Sequence, residues 1–175
     1  MNRRVLTFVL AITASSILLT FCKKDNDEKD PAPNPEYIAT DASFQNFMNW
    51  VLEAELNGPD PALGPAHHGN DSTVTRHVFF KDGVDPVNGL YPLGSIIVKQ
   101  SNNHDFTINE VTAMVKRGNN FDPNHNDWEY FMLTPDGNIA EDGDGNPMRG
   151  ADLMGGMCVA CHTQASSSDY IFSKK

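Results

Sequence analysis

Hydrophobic and polar residues change rhythm several times along this chain. Behind Arg3 and Arg4, residues 5–21 are almost wholly apolar, broken only by Thr and Ser. A basic start, a short apolar run and charge soon after predict an export signal over 1–21, too short for a comfortable membrane span. Residues 22–38 then turn polar, with Asp, Lys and Pro31, Pro33 and Pro35, the composition of a disordered tether. Phe44, Phe47, Met48, Val51, Leu52 and Leu56 recur at helical spacing, predicting one amphipathic helix over 41–56. Thr40 or Asp41 can cap it, and Gly58-Pro59 ends it. Residues 59–71 read as a Pro/Gly-rich loop, with His67-His68 as a solvated pair. From Thr73 the pattern shortens to that of strands, predicted over 74–80, 95–100, 106–117 and 127–133. Tyr91-Pro92-Leu93-Gly94 and the Thr134–Asn138 segment are the turn signals between and after them. Short connections favour antiparallel pairing. Residues 152–164 should form a short helix or helical turn. The expected fold class is α+β: an antiparallel sheet domain over 39–175, with an N-terminal helix and a short C-terminal helical segment.

The 175 residues suit one domain after the leader and tether. A formal net charge of −10 argues against nucleic acid and against docking on anionic lipid, and suits solubility. Cys22 ends the apolar run and precedes Lys23-Lys24-Asp25. That placement resembles a bacterial lipoprotein site, where the thiol is lipidated, although Phe21 stands where a small residue is usual. The expectation is a cell-envelope protein that meets the membrane only through a lipid on Cys22, with plain secretion as the alternative.

Cys158-Val159-Ala160-Cys161-His162 is a C-x-x-C-H motif, the attachment signature of haem c. Two thiols at this spacing reach the two vinyl groups of a porphyrin, and the next imidazole becomes the axial ligand. A redox dithiol would follow a buried strand in a βαβ unit, and a zinc site would need further close ligands. The motif therefore predicts one covalent haem c, with Cys158 and Cys161 as anchors and His162 on the iron. Thirteen residues follow His162, and none is Met or His. Any sixth ligand must come from upstream, from Met114, Met132, Met148, His77, His104 or His125. Met48 reads as core. Five-coordinate iron is the expected state, and open iron suits chemistry on a small molecule. Asp142, Asp144 and Asn146 have calcium-loop spacing, but Pro147 and Leu153 replace its Gly and Glu, so the segment reads as a turn.

The chain resembles the cytochrome P-460 / cytochrome c′-β family from about Phe79 to Phe172. The blocks that carry the resemblance are Tyr91–Lys99 (YPLGSIIVK), Val111–Arg117 (VTAMVKR) and Asn126–Phe131 (NDWEYF), followed by the cysteine motif and Asp169-Tyr170-Ile171-Phe172. The resemblance implies an antiparallel sheet domain, often a homodimer, with five-coordinate haem c. In the cytochromes P-460 a sheet lysine is cross-linked to the porphyrin and hydroxylamine is oxidised. In the c′-β relatives the cross-link is absent, the pocket is apolar and nitric oxide binding is the implied role.

Lys99 lies in the matching block. Strand alternation places it on the same face as Ser95 and Ile97. If that face is inward, Lys99 needs a partner such as a haem propionate, or a covalent bond, because an unpaired buried ammonium is costly. An outward lysine at a strand end is the plain alternative, and Lys116 is a weaker candidate for the cross-link. Phe79, Phe80, Phe106, Phe121, Trp128 and Phe131 are available as an aromatic cap, although each reads first as core. Glu110 or Glu129 is a candidate base, and Arg76 or Arg117 a propionate partner. The reading is an exported mono-haem c-type cytochrome that binds or oxidises nitric oxide or hydroxylamine, passing electrons to an external acceptor. It is an oxidoreductase if Lys99 is cross-linked. The alternative is an electron-transfer cytochrome with a sixth ligand from the sheet.

Overall fold

The computed structural model describes residues 34–173; the expected export signal, Cys22 and most of the tether lie outside them. Among the described residues no helix is long and apolar enough to cross a membrane. The centre of the domain is a six-stranded sheet in which each strand pairs with its sequence neighbours. The strands are β1 (Val51–Asn57), β2 (Thr75–Phe80), β3 (Ile96–Asn102), β4 (Asn109–Lys116), β5 (Trp128–Leu133) and β6 (Arg149–Gly150). Every pairing is antiparallel. With the helices α1 (Asp41–Phe44) and α2 (Met157–His162), the fold is α+β.

Alternation along β3, β4 and β5 builds two different faces. Ile96, Val98, Val111, Val115, Phe131 and Leu133 form one cluster, closed over by Phe44 and Phe47. Ile97, Met114, Trp128 and Tyr130 join Phe80 and Val159 on the other. The second face carries α2. Gly155 and Gly156 lead into that helix with φ of 67° and 81°, left-handed values that a side chain would resist. At the other end of the chain, Tyr37 N–H donates to Arg117 O at 2.8 Å, and Arg117 Nε donates to Glu36 at 2.7 Å. These bonds hold the segment before α1 against the end of β4.

The helix expected over 41–56 is much shorter. Only Asp41–Phe44 is α-helical; Asn46 then turns left-handed at φ 58°, and Phe47–Asn49 makes a single 3₁₀ turn. Val51 onward pairs with β2, in register Val51↔Phe80 to Asn57↔Thr75. Phe44 and Phe47 are buried as the pattern required, but Met48, Val51, Leu52 and Leu56 are exposed. Tertiary pairing outweighed helical periodicity here, because β2 offered a free edge and Val51 is β-branched. The other four strands fall where alternation placed them, while β6 was missed as a pair of residues after a long turn.

Candidate haem site

The α2 turn gathers the motif. Cys158 and Cys161 are both free thiols, each partly exposed. Burial pushes the Cys158 thiol up. His162 Nδ1 lies 2.8 Å from the carbonyl oxygen of Tyr170. A carbonyl can only accept, so Nδ1 carries the proton and Nε2 keeps its lone pair. Burial, partly offset by that hydrogen bond, pushes the imidazole down to about 4, so it is neutral at neutral pH. The rings of Tyr130 and Phe172 flank it at 5.4 and 5.3 Å.

The Tyr170 carbonyl is itself held in place. Asp169 and Tyr170 both adopt left-handed backbone, at φ 51° and 67°. The fully buried Asp169 carboxylate accepts from Tyr91 N–H at 2.8 Å, Asn126 Nδ2 at 2.8 Å and Trp128 Nε1 at 3.3 Å. Lys116 Nζ donates to both its oxygens, at 2.8 and 2.9 Å. Four donors from separate parts of the chain thus fix the segment that orients His162. Asp169 lay in a resemblance block but carried no role, because nothing in its local sequence reveals those donors.

Between α2 and the second sheet face lies a cavity of about 370 Å³. Its walls are mainly apolar, including Leu63, Met114, Tyr130, Met132 and Met157, with Cys158, Cys161 and His162 on one side. Lys99, Glu110 and His67 are its charged or titratable members besides these. Lys99 is therefore inward, on the face it shares with Ile97, and the outward alternative does not hold. Burial and the nearby Arg76 hold its ammonium down to about 8. Lys116 is not in the cavity; Asp169 occupies it.

The remaining candidates sort clearly. Met114 and Met132 line the cavity, while Met148 packs against the cluster beside it. His77 stacks on Phe79 and faces Glu55, His125 bonds Asp122, and His104 sits in the β3–β4 turn. Of the aromatic residues available as a cap, Phe79 belongs to the closed face, Phe106 is exposed and Phe121 lies under Arg117. Phe80 and Trp128 are core, and of the six only Phe131 reaches the cavity wall. Tyr130 and Phe172 supply the aromatic contacts instead. Glu129 is buried on the closed face, where Arg149 and Arg117 bind it, so Glu110 is the carboxylate at the site. His67, expected in solvent, lines the cavity. In the 142–146 turn, Asp142 accepts from the Asp144 and Asn146 amides, as a turn residue does.

The residues fit a haem. Two thiols and a neutral imidazole with a free Nε2 share one helical turn, against an apolar cavity. Tyr130 OH is buried there without a hydrogen-bond partner among the described residues. Arg76, on the same sheet face, is buried with Nε and Nη1 unpartnered, its Nη2 donating to Gly58 O at 2.5 Å. Such orphaned groups are costly unless something completes them.

Comparison with curated proteins and with solved structures finds no match. The family model Cytochrome P460 matches residues 64–173, more than half of the chain, from the loop before β2 to the end of the described residues. Membership implies a haem cofactor, in agreement with the thiol and imidazole set at the cavity. The chain belongs to the cytochrome P460 family.

Proposed function

We propose that this protein is an exported mono-haem c-type cytochrome whose open iron site binds or oxidises small nitrogen species, nitric oxide or hydroxylamine. Cys158 and Cys161 anchor the porphyrin through thioethers, and His162 Nε2 is its axial ligand. The observation that carries this reading is the His162 Nδ1 bond to Tyr170 O, which commits one ring nitrogen and leaves the other for iron. When bound, the haem supplies an iron centre that coordinates the ligand and exchanges electrons, with an external acceptor taking those released by oxidation. The chain's own residues do the rest. The apolar wall of Met114 and Met132 excludes water, Tyr130 and Phe172 hold the imidazole, and Lys99 stands within reach of the cavity for a porphyrin cross-link. Cys22 carries the lipid that keeps the domain at the cell envelope.

Expression with a cytochrome c maturation system tests the central claim. Intact mass should show one added haem, and peptide mapping should show whether Lys99 carries porphyrin. The reduced spectrum should respond to carbon monoxide and nitric oxide. Low-spin iron that ignores both gases would favour electron transfer through Met114 or Met132, the two expected sulfur ligands at the cavity. Colourless protein, or thiols found free or holding zinc, would overturn the reading. Radiolabelled fatty acid should enter the wild type and not Cys22→Ser.

A further inference from the structure

The loop between β1 and β2 brings a second imidazole to the cavity. His67 Nδ1 lies 3.1 Å from Oε1 of Glu110 on β4, and His68 Nε2 lies 3.8 Å from the other oxygen. The His67 hydrogen bond holds the Glu110 carboxyl below its usual range, so the group is an ionised, acceptor-only carboxylate. Burial pushes His67 down, leaving a neutral ring with one proton. That proton must sit on Nδ1, facing the carboxylate, and Nε2 is left as a lone pair. A neutral imidazole steadied by a carboxylate on its far nitrogen is the arrangement of a general base.

The placement is enforced by the loop. His67 adopts a left-handed φ of 49°, unfavourable for a residue with a Cβ. Arg76 Nη2 holds Gly58 O at 2.5 Å and Asp60 N–H donates to Gly69 O at 2.7 Å, closing the loop at its base. These bonds hold the loop that presents His67 to the cavity.

We propose that His67, oriented by Glu110, is a proton acceptor for the haem cavity, so that the site serves ligands which give up a proton on binding, the class of hydroxylamine, beyond those that bring none, the class of nitric oxide. This rests on the haem reading above. In the step, the proton of an H–X ligand passes to His67 Nε2, the bonding pair stays on X, and Glu110 remains ionised opposite the imidazolium. The charged and titratable groups around His67 are Glu110 of β4, Lys99 of β3, Arg76 of β2, His68 beside it and His162 of α2. Glu110 favours charging of the ring, whereas Lys99 and Arg76 oppose it.

Hydrogen cyanide and nitric oxide separate the two ligand classes. Hydrogen cyanide must lose its proton to bind ferric haem, and nitric oxide has none to lose. Stopped-flow association of each is measured on the haem-loaded full chain, for the wild type, His67→Ala, His67→Gln and Glu110→Gln. The inference expects His67→Ala and His67→Gln to slow cyanide on the order of 100-fold. Glu110→Gln should slow it less, and nitric oxide association should be unchanged in all three. Equal slowing of both ligands would mean that His67 only shapes the cavity, and unchanged cyanide rates would mean that it takes no proton; either overturns the inference. So does wild-type ferric iron that is low-spin and turns high-spin in His67→Ala, which would make His67 a ligand. Absorbance before any mixing tests the haem reading separately: a colourless protein removes both.

Discussion

The same three strands present a filled face and a hollow one. On the filled face, Ile96, Val98, Val111, Val115, Phe131 and Leu133 meet Phe44 and Phe47, with Phe44 5.1 Å from Phe131 ring to ring. On the hollow face, their neighbours Lys99, Glu110, Thr112, Met114, Tyr130 and Met132 line a cavity. Alternation alone makes both, so the difference is one of composition. The filled face is mainly apolar, and its buried carboxylate, Glu129, is held by Arg149 and Arg117. The hollow face carries a lysine, a carboxylate and a phenol around open space, together with orphaned polar atoms on Tyr130 and Arg76. A domain keeps such a face when another chemical group completes it.

The sharpest way to break that comparison is to remove what anchors the completing group. Cys158→Ala with Cys161→Ala should abolish covalent haem altogether, read as an intact mass equal to the polypeptide alone, with the fold kept because the filled face is untouched. Covalent haem in that variant would mean that the hollow face is completed by another attachment.

Truncation should then separate the faces by stability. Phe44→Ala, in the filled face, should cost about 4 kcal/mol, since it opens a new cavity among close-packed rings. Met132→Ala, on the cavity wall, should cost about 1 kcal/mol in the haem-free protein, because the space beside it is already open and only the transfer contribution is lost. Urea unfolding followed by circular dichroism measures both; equal losses would erase the distinction. Asp169→Asn should come next, at about 3 kcal/mol, because it leaves the largely buried Lys116 ammonium without its partner. In the haem-loaded protein the same change should also loosen Tyr170 O and shift the haem spectrum.

What was readable in the sequence follows the same division. Strands β2 to β5 were legible because period-two alternation is local. The cysteine motif was legible because its chemistry is contained in five consecutive residues, and parity placed Lys99 on the face of Ile97 without saying which face was inward. Residues 51–57 were misread because Val51, Leu52 and Leu56 satisfy helical spacing as well as a strand's apolar content, and their partner, Thr75–Phe80, lies beyond a long loop. His67 was misplaced for a related reason: only the closed loop, tied by Arg76 and Glu110, brings it from solvent to the cavity. Asp169 was invisible because its four donors start at Tyr91, Lys116, Asn126 and Trp128, and a carboxylate carries no periodic signal.

A stabilising change tests the hollow face by removing its charge. Lys99 has its ammonium lowered to about 8 from 10.5, chiefly by burial and then by Arg76. The unfolded chain therefore binds this proton more tightly than the folded one, and stability contributed here rises with pH between those two values. Below pH 8 the folded protein bears the whole cost of a buried, charged lysine, on the order of 2 kcal/mol after partial solvation. Lys99→Met should thus stabilise the haem-free protein by about 2 kcal/mol at neutral pH, measured by urea unfolding. The gain should shrink as pH rises through 8 and lose its electrostatic part near 10.5. A destabilised variant, or a gain that does not vary with pH, would mean that Lys99 is already satisfied without haem. The hollow face would then be finished by the protein alone, and its resemblance to the filled one would be closer than the cavity suggests.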